Sequence, residues 1–473
     1  MSVNSAELAA KLARALTVVL APVLGDGTSV DNLRVLTGGA SRTTWAFEAV
    51  TDAHRRALIL RTGPPDDVHA GMELEARTQT AAAAAGAPVP HVLLADNSPA
   101  ALGNPFLICD EIKGETIVRR IQRQLDAAGG QAARTRLLQQ CAQAVAAIHR
   151  ADTDIADLTH EDQLAEWRQR LDDMGDTTAT FEWAFRRLAV QRPRLSPAVL
   201  VHGDFRMGNL IVDGSNLAAV LDWELVHVGQ AYEDLAWFCI RAWRFGAPVS
   251  LGAGGLGSIE DFLRAYEQAG AAPVDRAALH WWLVLATLRW GVICRFQAER
   301  HLSGHRRSVE LATIGRRVCE TEWDLLDLLE LLEAPGDEAR RTGAASGPHA
   351  DDEEKRTGAA ARNDGYGRPL AVELVAAVAE FLENDVRGAT EGQVNFHTRV
   401  AANALRIVER ELLDDSETQY RAALGDLGFA DEEQLAAAIR AGALDNQADQ
   451  VTACLRILVR RRLAVAHPGY DSE

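Results

Sequence analysis

The stretch Val199-Leu-Val-His-Gly-Asp-Phe-Arg-Met-Gly-Asn-Leu-Ile-Val-Asp213, followed by Val220-Leu-Asp-Trp-Glu224, decides how the chain is read. Its apolar runs, Val199–Val201, Leu210–Val212 and Leu217–Leu221, have the length and β-branched content of short buried strands. Asp213 and Gly214 separate the last two and tolerate positive φ, so they predict a hairpin. The polar residues fall at strand ends, where a sheet can aim them. Asp204 and Asn209 are five apart, and Asp222 follows thirteen later.

That spacing is the layout of a kinase catalytic loop and its metal-binding aspartate. On this pattern Asp204 accepts or orients the proton of an attacking hydroxyl. Asn209 and Asp222 supply the oxygen ligands that Mg²⁺ prefers. His202 and Arg206 complete the catalytic candidates, with His202 read as bracing the loop. Asp234, further on, is read as a second brace.

Composition narrows the class. The 473 residues suggest about two to four domains, and 47% hydrophobic content allows a large core. A net charge of −18 argues against a nucleic-acid partner, which needs a basic face. Six cysteines without a Cys-x-x-Cys pair fit reduced thiols and no structural zinc. The N-terminus lacks the pattern of a secretory signal. The most apolar helix, Leu279–Ile293, is interrupted by His280 and Arg289, so a core helix is expected and no membrane partner. A cytoplasmic protein is the expectation. Only Lys11, Lys113 and Lys355 are lysines among 49 basic residues, a bias expected of a GC-rich bacterial genome.

Read in order, residues 1–29 form an N-terminal helix, and residues 30–113 a small sheet domain. Within it, strands near Leu33–Leu36, Thr43–Val50, Ala57–Arg61, Val92–Ala95 and Phe106–Ile112 surround a helix over Asp66–Ala85. The loop Thr37-Gly-Gly-Ala-Ser-Arg42 places Gly38, Gly39 and Ser41 where backbone N–H groups lie over phosphates. Asp110, Glu111 and Ile112 lead out of the sheet as a hinge for adenine. Residues 114–334 read as a mostly helical lobe around the catalytic stretch. Residues 335–368 have almost no core-sized apolar side chains and read as a flexible linker. Residues 369–473 recover helical periodicity as an all-α domain. The expected fold is α+β: a two-lobed protein-kinase-like fold, with an antiparallel-sheet N-lobe and a helical C-lobe, followed by a small all-α domain.

Residues 30–330 resemble the aminoglycoside phosphotransferase-like kinases, most of all the kinase-like half fused to some acyl-CoA dehydrogenases. The carrying segments are Leu36-Thr-Gly-Gly-Ala-Ser-Arg-Thr-Thr-Trp45, Leu60-Arg-Thr-Gly-Pro-Pro65, Pro88-Val-Pro90, His202–Asn209, Leu221-Asp-Trp-Glu224 and Glu233-Asp-Leu-Ala236. The C-terminal part resembles a helical domain of unknown role. The resemblance implies ATP and Mg²⁺ as cofactors and a small-molecule substrate. One departure matters. Protein kinases anchor phosphates with a lysine on the third strand, paired to a helix glutamate. Arg61 stands there instead, with Glu75 as its expected partner and Glu73 as second choice.

The acceptor implied by the resemblance is a hydroxyacyl-CoA or another anionic metabolite, with a functional link to an acyl-CoA dehydrogenase. Arg241, Arg244, Arg295 and Arg316 are the candidate cations for it. Two other readings stand beside this one: an aminoglycoside- or choline-type kinase, and a nucleotide-binding pseudokinase scaffold that Arg61 in place of lysine keeps open.

Overall fold

The computed structural model describes residues 3–36, 42–52, 54–64, 70–333 and 369–472. Gly38, Gly39, Ser41 and the expected linker over 335–368 lie outside them. The chain divides into two compact units: residues 1–161 with 194–279, and residues 162–193 with 280–473.

The first unit holds the small sheet lobe and the part of the larger lobe around the catalytic stretch. Five strands, β1 (Ser29–Leu36), β2 (Thr43–Val50), β3 (Arg55–Thr62), β4 (Val92–Asp96) and β5 (Phe106–Asp110), pair in the order β1-β2-β3-β5-β4. The paired neighbours are antiparallel throughout. Strand alternation sorts β3 into two faces. Leu58 and Leu60 join Phe47, Phe106 and Ile108 in one core with Leu16 and Leu20, four apart on helix Val3–Leu24. Ile59 packs instead against the cluster of Met72, Leu107 and Cys109. Arg61 shares the parity of Ile59, so it is aimed toward helix Met72–Ala84.

In the larger lobe of this unit, helix Gln131–His149 packs against short strands, and Val118–Ala127 packs on that helix. The strands are β6 (Val199–Val201), β7 (Leu210–Asp213), β8 (Asn216–Val220) and β9 (His227–Gly229). β7 and β8 form the expected hairpin, with Gly214 at φ +63°. β9, too short to show in the sequence pattern, pairs with β6. Helix Tyr232–Cys239 ends because Ile240 is extended, and a 3₁₀ turn over Arg241–Arg244 follows.

The second unit is helical. Helices Gln163–Asp173, Ala179–Val190 and Val318–Glu333 pack with the C-terminal helices, among them Glu432–Arg440 and Ala448–Ala466. The expected boundary after residue 334 is therefore not a boundary of compact units. Its ion pairs show why. Arg462 pairs with Glu322 (3.0 Å) and Glu432 (2.7 Å), Arg456 with Asp327 (2.6 Å) and Glu330 (2.8 Å), and Arg440 with Asp172 (2.7 Å). Among the described residues, one helix, Arg276–Leu302, is long and apolar enough to cross a membrane. Some 72% of its apolar window is buried within the chain, as in a core helix.

Candidate active site

The loop after β6 is held from beneath by Asp234, which is fully buried. Its carboxylate accepts from the main-chain N–H groups of His202 (2.8 Å) and Gly203 (2.9 Å) and lies 3.2 Å from His149 Nε2. Burial disfavours this charge, but the bond and charge of His149 and the loop N–H groups outweigh it. Asp234 is held below the usual carboxylate range. Gly203 has φ +83°, and a Cβ there would overlap the Leu225 carbonyl. The turn therefore requires glycine.

His202 is spent on bracing, as its place in the pattern predicts. Its Nδ1 accepts from the Asp204 N–H (3.1 Å), so Nε2 carries the proton and donates to the Leu221 carbonyl (2.9 Å). The same segment is tied to the metal pair. The Leu221 N–H donates to the Asn209 carbonyl (2.8 Å), which sets Asn209 beside the turn into Asp222. Asp222 itself sits at φ +68°, a left-handed conformation uncommon for a non-glycine residue and frequent at functional sites.

Three donors orient the Asp204 carboxylate. Oδ1 accepts from Arg206 Nε (2.9 Å) and Trp237 Nε1 (2.7 Å), and Oδ2 from Asn209 Nδ2 (2.6 Å). The Arg206 guanidinium lies 4.5 Å over the Trp243 ring, and Trp243 packs edge-on against Trp237. Trp237 was not legible as a site residue, because tryptophan in an aromatic helix reads as core.

Across from this loop, Glu75 is fully buried and serves two arginines. Arg61 Nη1 donates to Oε2 at 2.9 Å, and Arg42 Nη1 donates to Oε1. Glu75 is thus the partner that its spacing predicts, while Glu73 exchanges hydrogen bonds with Asn97. Arg61 Nη2 reaches Asp222 Oδ1 at 2.7 Å, and Glu224 lies 3.8 Å from Arg61 and 3.7 Å from Arg42. Burial opposes the charge on Arg61, but Glu75, Asp222 and Glu224 more than offset it and hold the guanidinium protonated. Arg42 escaped the sequence reading because nothing in a Gly-rich loop marks its last residue as structural.

The donor set fits a magnesium ion. Asn209 uses its amide N–H₂ on Asp204, on the main-chain oxygen (3.0 Å) as well as the carboxylate. That leaves Oδ1 as the oxygen acceptor of the amide. Among the described residues no cluster of three His, Cys, Asp or Glu side chains forms a closed cage. The site is an open one, of the kind completed by phosphate and water.

Other candidates fall differently. The Asp110 and Glu111 N–H groups are spent on the His91 and Ala57 carbonyls (3.0 Å each), and the Asp110 carboxylate pairs with Arg56 (2.6 Å). Arg241 and Arg244 lie on the turn that carries Trp243. Arg295 and Arg316 belong to the second unit, where Arg295 pairs with Asp176 and Arg316 with Glu411 (2.7 Å).

An antiparallel five-stranded lobe, a braced His-x-Asp loop and a hairpin carrying a second aspartate define a kinase-like phosphotransferase. The chain belongs to the phosphotransferase enzyme family, whose model matches residues 32–282. Residues 388–470 match a family of unknown function. Mouse acyl-CoA dehydrogenase family member 10 is 26% identical over 300 residues, covering 57% of this chain and 27% of that protein. Human acyl-CoA dehydrogenase family member 11 is 24% identical over 295 residues, covering 56% and 37%. The chain thus spans well under half the length of these relatives. A crystal structure described as an aminoglycoside phosphotransferase of Ralstonia eutropha superposes with TM-score 0.56 at 21% identity, covering 67% of this chain and 98% of that one. That likeness concerns the fold.

Proposed function

We propose that the chain transfers the γ-phosphoryl group of ATP to a hydroxyl of a small anionic metabolite, such as a hydroxyacyl-CoA. The observation that carries the phosphotransfer reading is the Asp204 carboxylate, fixed by three donors of which one is the Asn209 amide. Phosphoryl transfer asks for positioning and charge neutralisation more than covalent help. Asp204 receives and aligns the acceptor hydroxyl. Arg206, held flat on Trp243, keeps that carboxylate turned toward the acceptor and adds a cation near it. Arg61 offers the nucleotide phosphates a permanent charge that can fork between carboxylate and phosphate. Asn209 and Asp222 would hold Mg²⁺, which when bound neutralises phosphate charge.

The acyl-CoA class of acceptor is supported by the names of the relatives matched over this region. The cations Arg206, Arg241 and Arg244 around the Trp237–Trp243 pair support an anionic acceptor. A functional tie to an acyl-CoA dehydrogenase follows the same relatives. All six cysteines are free and buried, which supports a reducing, cytoplasmic setting. The ion pair of Arg61 with Glu75 is retained, and this favours an active kinase over a pseudokinase scaffold. ATP consumption against hydroxyacyl-CoAs, aminoglycosides and choline separates the classes. Turnover with none of them above an Asp204→Ala variant would remove the kinase reading.

A further inference from the structure

We propose that Arg61 is a movable counter-ion that couples metal binding to nucleotide binding, with Arg42 as its fixed companion on Glu75. The inference rests on the kinase reading above. Glu75 is completely buried, and its two oxygens are taken by different arginines. A single cation would satisfy its charge, so the second arginine needs a reason.

The two are not equivalent. The Arg42 side chain is 8% exposed and is held at four places: Glu75, the Ala70 carbonyl (2.8 Å), Met72 Sδ (3.4 Å) and Glu224 (3.7 Å). Arg61 is held by Glu75 through Nη1, while its Nη2 lies 2.7 Å from Asp222 Oδ1. Asp222 is also half of the metal pair. A divalent cation on Asp222 and a guanidinium at that distance repel each other. Metal therefore binds weakly while Arg61 keeps its place.

Phosphates arriving beside the site give Nη2 another anionic acceptor, which arginine binds in a fork. Asp222 is then released to the metal. Arg42 remains on Glu75 throughout, so the buried carboxylate is never left without a cation when Arg61 shifts. An unpaired buried charge is what a single-arginine arrangement would create at that moment. The arrangement makes metal and nucleotide mutually dependent ligands.

The test measures Mn²⁺ binding to the full-length protein by electron paramagnetic resonance without nucleotide, so that it does not depend on turnover. Arg61→Met leaves Glu75 its Arg42 bond and is expected to fold. It should bind Mn²⁺ at least about tenfold tighter than wild type, since it removes a like charge from the ligand. Asp222→Asn should abolish binding in both backgrounds. Arg42→Met should leave Mn²⁺ binding within about twofold of wild type but weaken a non-hydrolysable ATP analogue, because Arg61 then becomes the sole cation on Glu75. Should Arg61→Met not fold, Arg61→Gln takes its place with the same outcomes. Mn²⁺ affinity within twofold of wild type in the Arg61 variant, or binding that survives Asp222→Asn, would overturn the proposal. A wild-type chain that binds no nucleotide in excess Mg²⁺ would instead overturn the kinase reading, and the Mn²⁺ comparison would still decide the counter-ion role.

Discussion

Removing Asp234 should cost both stability and catalysis, although it touches no substrate. Its carboxylate satisfies the N–H groups of His202 and Gly203 and faces His149, all in a dry interior. A hydrogen bond to a charged acceptor contributes about 1.5–3 kcal/mol, and buried donors left without a partner are costly. Asp234→Ala orphans two main-chain donors at once, so a loss of about 3–5 kcal/mol is expected. For a unit of this size that is roughly 6–20 °C in melting temperature. Asp234→Asn keeps one acceptor oxygen but turns an N–H₂ toward the other donor, and should lose about half as much.

The same change frees the backbone two residues before Asp204. ATP turnover should fall by about one to two orders of magnitude, through kcat, with the KM for ATP little changed. The pH dependence has a definite sign. The Asp234 pKa is lowered in the folded chain, so its stabilisation is fully present above the free value of about 3.9 and is lost as pH falls through the folded value. Scanning calorimetry of wild type and variant should show a constant gap from pH 5 to 8, as a rough window, that closes in acid. A variant that melts within a degree or two of wild type, or that retains full kcat, would refute the bracing role.

Further outcomes follow from the same geometry. Arg206→Met should lower kcat about 10–100-fold with little change in melting temperature. Gly208→Ala should act the same way, because its Cβ would collide with the Arg206 guanidinium; normal turnover in both would remove Arg206 from the site. The ring nitrogens of His227 both face acceptors, Glu233 (2.8 Å) and the Leu225 carbonyl (2.8 Å). Burial lowers its pKa, but the Glu233 bond and charge prevail and raise it. Its stabilisation is complete below about pH 6.5 and is lost as pH rises through the raised value, so Glu233-paired wild type should melt progressively lower in alkali while His227→Gln should lack that slope. In the helical unit, Arg462→Met strands the buried Glu322, whose pKa burial already raises. A loss of about 3–5 kcal/mol is expected, partly restored by adding Glu322→Gln, as a double-mutant cycle by denaturant melts would show.

The catalytic stretch was legible because its chemistry needs fixed spacings. Asp204, Asn209 and Asp222 are placed by two short strands and a hairpin whose apolar residues show plainly. The Arg61–Glu75 pair was legible from strand and helix order. What failed to show were residues whose roles come from distant partners. Trp237 meets Asp204 over 33 positions, and Arg42 meets Glu75 over 33. Neither has a local pattern. The partners of Arg295 and Arg316 were hidden for the same reason, since Asp176 and Glu411 lie about a hundred residues away in sequence. The boundary after residue 334 marked a change of composition, whereas the compact unit runs across it, tied by the ion pairs of Arg456 and Arg462.

The most direct test of the central claim is ATP-dependent phosphorylation of a hydroxyacyl-CoA panel, followed by mass spectrometry of the products, with wild type and Asp204→Asn side by side. Phosphorylated product from wild type, reduced by about 10²–10⁴-fold in the variant, is the predicted result. Equal product from both proteins would contradict the account of Asp204 and of the site built around it.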